Sequence, residues 1–134
     1  MGDYKLLSIS DNTANEYIPW PYTRLYGVWF NSPHYIYIVG DGAYVYGNNS
    51  LKTINLYTNF FLTRVKGSAL NDIYICSSDA RIYHFNGINW SGVYNGVYGK
   101  YEGMDVKGNI VVLVGYNIEG GMVGKAVVTI GKHY

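Results

Sequence analysis

Charge is scarce in this chain. Asp, Glu, Lys and Arg make up 14% of its 134 residues, well under the roughly 25% of an ordinary globular domain. The ten basic and nine acidic residues leave a formal net charge of +1. The basic ones are scattered, so the electrostatic footprint of a nucleic-acid binder is missing. The one cysteine, Cys76, excludes an internal disulfide; set in an apolar run, it is expected to be a small buried hydrophobe and leaves the redox compartment open. No apolar run approaches the length of about 18 residues that a membrane-spanning helix needs. The start Met1-Gly2-Asp3-Tyr4 lacks the basic and then apolar order of a signal peptide, which suits a cytosolic protein and an excised piece equally. His34, His84 and His133 show no metal-ligand spacing, and no H-E-x-x-H, nucleophile elbow, Walker loop or G-x-G-x-x-G motif is present. No metal or cofactor is therefore expected, and nothing nominates an enzyme.

Glycine and tyrosine are abundant instead, at 17 and 16 residues. Turn dipeptides punctuate the chain at Asp41-Gly42, Asn86-Gly87, Asn95-Gly96 and Gly120-Gly121, and no stretch carries helical periodicity, so the class is all-β. One apolar run is written three times: Ile36-Tyr37-Ile38-Val39, Ile73-Tyr74-Ile75-Cys76 and Val111-Val112-Leu113-Val114, at offsets of 37 residues (39 to 76) and 38 residues (76 to 114). A period of this size marks a repeat architecture whose units bury their faces against one another.

The middle unit, residues 61–100, divides into four short strands: Phe61 to Val65, Ile73 to Cys76, Arg81 to Phe85 and Ile88 to Val93. Residues 24–60 follow the same plan. Residues 101–132 supply three strands, with a longer loop expected from Gly115 to Gly124, and stop one strand short. A further strand, within residues 3–9, precedes the first unit, joined to it by a polar link over Ser10 to Glu16. The second strand of each unit is continuously apolar, as expected where both faces of a sheet are covered. Four-stranded antiparallel sheets repeated radially form a β-propeller, which takes four to eight blades. The expectation is three four-stranded blades per chain, the N-terminal strand closing the third blade of a partner, with a homodimer completing a six-bladed ring.

At Asn71-Asp72-Ile73-Tyr74-Ile75-Cys76 and Arg81-Ile82-Tyr83-His84-Phe85-Asn86-Gly87-Ile88-Asn89-Trp90 the chain resembles bacterial β-propeller repeats, similar to kelch-like and photosystem-assembly-factor-like propellers. The resemblance implies the fold and a secreted or periplasmic parent. Unit one departs from the pattern with Pro33-His34-Tyr35 in place of Asn-Asp. Ser77-Ser78-Asp79-Ala80-Arg81 is similar to the Asp-box of sialidase-type propellers, with Arg81 in place of its glycine.

Asp41, Asp72 and Asp79 fall at expected turns, where Asp accepts local backbone hydrogen bonds. Glu102 and Asp105 lie in the first strand of unit three and are candidates to line a central channel. Tyr94, Tyr98 and Tyr101 cluster between units two and three, where an aromatic face could stack on sugar rings or anchor a protein. These five residues are the candidate ligand site. The function expected is a non-catalytic binding or scaffold module of unspecified ligand. A glycan-active enzyme built on Glu102 and Asp105 is an alternative, as is a fragment of a longer propeller or an engineered chain with no function of its own.

Overall fold

The computed structural model describes residues 4–20, 24–96 and 99–132, all strands and their connections, with no helix among them. The strands are β1 (Tyr4–Ser10), β2 (Thr13–Trp20), β3 (Leu25–Ser32), β4 (Tyr35–Gly40), β5 (Ala43–Gly47), β6 (Ser50–Ile54), β7 (Leu62–Ala69), β8 (Asp72–Ser77), β9 (Arg81–Phe85), β10 (Trp90–Asn95), β11 (Gly99–Lys107), β12 (Ile110–Glu119) and β13 (Met122–Lys132). They form four antiparallel sheets in chain order: the hairpin β1-β2, a first sheet β3 to β6, a second β7 to β10 and a third β11 to β13.

Two segments that look like loops are paired. Ser10 to Glu16 contains a tight turn at Asp11-Asn12 and the first half of β2, whose residues Thr13 to Glu16 pair back onto β1. Within one chain, therefore, the strand expected to close a partner's blade already has β2 as its neighbour. Gly115 to Gly124 likewise extends the β12-β13 hairpin around Gly120-Gly121. Both turns need left-handed backbone at two successive residues, found at Asp11 (φ 48°), Asn12 (φ 63°), Gly120 (φ 58°) and Gly121 (φ 78°). That geometry matches the twist of the flanking strands, and glycine and asparagine adopt it at least cost. The third sheet has the three strands expected of residues 101–132, and no fourth strand from within the described residues joins it.

The three larger sheets stack through their first strands, β3 against β7 and β7 against β11. Side chains alternate across each strand, so each sheet has two faces to cover. Tyr37 and Val39 of the first sheet meet Val65, Ile73, Ile75 and Tyr83 of the second in one core. Tyr74, Cys76 and Ile82 of the second meet Met104, Val111 and Leu113 of the third in another. Cys76 is fully buried, and burial pushes its thiol pKa up.

The outer face of the third sheet is uncovered: Val114 and Val128 are exposed and Ile130 is 71% exposed. On the first sheet's outer face Ile36, Ile38, Tyr44 and Leu51 form a small cluster. Beside it Val28 is exposed and Phe30 is 62% exposed.

Close backbone approach is required at Gly40, at the end of β4. A Cβ there would fall on the carbonyl oxygen of Arg24, well inside van der Waals contact, whereas a Cβ at Gly92 would meet nothing within 4 Å. Gly40→Ala is expected to destabilise the fold by about 1–3 kcal/mol through this overlap. Gly92→Ala should stay within about 0.5 kcal/mol of the parent. Urea unfolding of the two variants side by side checks both.

Candidate functional site

The aromatic cluster expected between units two and three is divided by the fold. Tyr94 lies near the end of β10 and is exposed, whereas Tyr101 is 3% exposed. Tyr98 lies outside the described residues. Strand β11 begins at Gly99 and carries Tyr101 into the core opposite Gly115. There the Tyr101 hydroxyl is 2.7 Å from Thr129 Oγ1, and its carbonyl accepts a hydrogen bond from Thr63 Oγ1 at 2.9 Å. Burial raises its phenol pKa. Tyr101 thus ties the second sheet to the third, although it still helps line a cleft of ≈ 190 Å³ with Tyr94 and Tyr116.

Neither carboxylate of the expected pair is brought into a cleft described here. Glu102 is the extra residue of a bulge in β11, and its Oε1 lies 2.9 Å from Lys100 Nζ in an exposed ion pair. Asp105 is exposed, and its Oδ1 accepts the Val106 backbone N–H at 3.0 Å. An acid engaged by its own strand neighbour is poorly placed to serve as half of a hydrolytic pair.

The three turn aspartates differ. Asp41 accepts the backbone N–H of Arg24, 17 residues earlier, at 3.1 Å, a bond across the sheet end where a local turn bond was expected. Asp79 accepts from the Ser77 hydroxyl and lies 2.7 Å from Arg81 Nε. In the segment similar to an Asp-box, these bonds tie the β8-β9 turn together. Asp72 is buried at the start of β8, where it accepts from the Ser68 hydroxyl and pairs with His84 Nε2 at 2.8 Å. The His84 ring stacks on Tyr74, 4.4 Å between centroids. Burial, reinforced by the Asp72 charge, pushes the Tyr74 phenol up to about 12. Among the described residues no group of three or more His, Cys, Asp or Glu converges to hold a metal.

Tyr94 also stands where two larger clefts adjoin. One, of ≈ 400 Å³, opens between the second and third sheets and is lined by Tyr74, His84, Val93 and Thr129. The other, of ≈ 390 Å³, lies between β9, β10 and the β6-β7 link. In this second cleft Tyr83 is 7% exposed, and its buried hydroxyl has no hydrogen-bond partner among the described residues. Arg81 lines the same space, its Nε held in the 2.7 Å ion pair with Asp79. Sequence reasoning passed over Tyr83, because a strand tyrosine that fills a core and one that lacks a partner have the same local pattern. The faint signal was its register partner Gly92, which leaves the tyrosine without a cross-strand side chain on the β10 side.

Comparison with family models, with curated proteins and with solved structures finds no match to this chain.

Proposed function

We propose that the chain is a non-catalytic binding module of propeller type that assembles from three-sheet subunits, two chains closing a ring of six sheets. The observation that carries this reading is the equivalence of the two end faces. Tyr37 and Val39, Tyr74 and Cys76, and Val112 and Val114 hold the same places in the three repeats. The first pair packs on the second sheet and the second pair on the third, while Val112 and Val114 belong to the uncovered face. Conversely, Ile73 and Ile75 receive the first sheet, Val111 and Leu113 receive the second, and their counterparts Ile36 and Ile38 lie on the first sheet's outer face. Each end therefore presents the surface type that its equivalents already use for docking inside the chain. A head-to-tail contact of this kind closes into a ring when the rotation per unit allows it. Six sheets fall within the range of four to eight that propellers take.

The edge of β13 supports the same reading, since among the described residues no strand pairs with it on the side away from β12. The partner's hairpin β1-β2 precedes its first sheet and is the segment assigned to that edge. Size-exclusion chromatography with light scattering tests the proposal. The expected mass is twice the 15.1 kDa of the chain, and truncation of residues 1–10 should weaken the assembly. A cooperatively folded, monodisperse monomer overturns it.

A further inference from the structure

The cleft between β9, β10 and the β6-β7 link has the features of a built site. Its floor holds one buried polar group with no hydrogen-bond partner among the described residues, the Tyr83 hydroxyl, beside Arg81, whose Nε is ion-paired with Asp79. A buried polar group left unpaired costs about 1–3 kcal/mol, so native structures rarely keep one without a reason. Gly92 sits directly opposite Tyr83, and the place of its missing side chain is open space. At the mouth stands Tyr57, 88% exposed and held at φ 51°. Left-handed backbone is an outlier for a bulky residue and costs on the order of 1–3 kcal/mol. It is maintained here by the Asn55 carboxamide, which accepts the Tyr57 backbone N–H at 3.1 Å. Tyr94 supplies a second exposed ring to the cleft.

We infer that this cleft binds a neutral sugar ring. The occupant must offer a hydroxyl to Tyr83 and an apolar C–H face to Tyr57 and Tyr94, which is the amphipathic character of a pyranose. A volume of ≈ 390 Å³ lies within the range of small-ligand sites. Charge decides between sugar classes. Asp79, 2.7 Å from Arg81 Nε, already neutralises the one cation in the cleft, so an anionic sugar gains little there. The inference deepens the binding-module reading by naming a site and a ligand class. It stands apart from ring closure, because every lining residue belongs to one chain.

Saturation-transfer NMR on the full chain, with glucose, galactose, mannose and N-acetylglucosamine at millimolar concentration, tests the site. Transfer to at least one of these is expected. Tyr83→Phe removes only the unpaired hydroxyl, so it should weaken binding about tenfold while leaving thermal stability unchanged or higher. Gly92→Leu fills the floor and should abolish binding with the fold intact. Light scattering on the same samples keeps a failure of assembly distinct from a failure of the site. The inference is overturned if none of the four sugars shows transfer, if binding survives in both variants, or if glucuronate or N-acetylneuraminate binds in preference to the neutral sugars.

Discussion

Replacement of Ile130 by lysine is expected to leave the chain folded and to make it monomeric. Ile130 is 71% exposed on the outer face of the third sheet, so within one chain the change should cost within about 0.5 kcal/mol. In the assembled ring the same ammonium group would be buried without a counter-charge. An unpaired buried charge destabilises by about 3–5 kcal/mol, enough to weaken association at least a hundredfold. Phe30→Glu on the first sheet should act in the same way at the other end, since Phe30 is also largely exposed. A mixture of the two variants gives the sharper result. Joined head to tail, one I130K chain and one F30E chain form one seam of wild-type faces and one that sets lysine against glutamate. Dimer mass should therefore return in the mixture while each variant alone stays near 15.1 kDa. Dimers of I130K alone, or no recovery on mixing, would contradict head-to-tail closure.

Truncation in the two internal cores should have the largest effect on stability. Ile75 and Leu113 are fully buried at equivalent repeat positions, Ile75 between the first and second sheets and Leu113 between the second and third. Each is expected to lose about 2–5 kcal/mol on replacement by alanine, through lost transfer energy and the cavity left behind. Against a typical total of about 5–15 kcal/mol this is a large fraction. Urea midpoints should fall with little change in slope, because both variants unfold the same stack. Val128→Ala removes a comparable side chain from an open face and should cost under about 1 kcal/mol in the monomer. If Ile75→Ala or Leu113→Ala cost no more than Val128→Ala, the corresponding interface would not be the core described here.

The contrast between β8 and β12 shows how far the sequence could be read. Both strands are continuously apolar, and such runs are expected where a sheet is covered on both sides. All six residues of β8 are buried, because the second sheet has a neighbour on each face. In β12 Val111 and Leu113 are buried while Val114 is exposed, since no neighbouring sheet covers that side. The residue pattern is the same in both, and position in the stack decides the difference. Gly115 to Gly124 differs for a related reason: glycine and asparagine suggest a loop by composition, yet the pairing of Ile118 with Val123 and Glu119 with Met122 carries the strands through it. Tyr101 reads as part of an open aromatic face because nothing local shows that Thr129, 28 residues away, accepts or donates at its hydroxyl.

By itself the sequence determines what depends on backbone preference and short period: the all-β class, most strand positions, the tight turns, the threefold repeat and the missing fourth strand of the last unit. Contacts between residues far apart in the chain decided the rest. They placed β2 beside β1, withdrew Tyr101 into the core, joined Asp72 to His84, left Tyr83 without a partner in a cleft and left the two end faces of the stack open. Local preferences act within a few residues, whereas coverage of a face and satisfaction of a buried hydroxyl depend on what the folded chain brings against them.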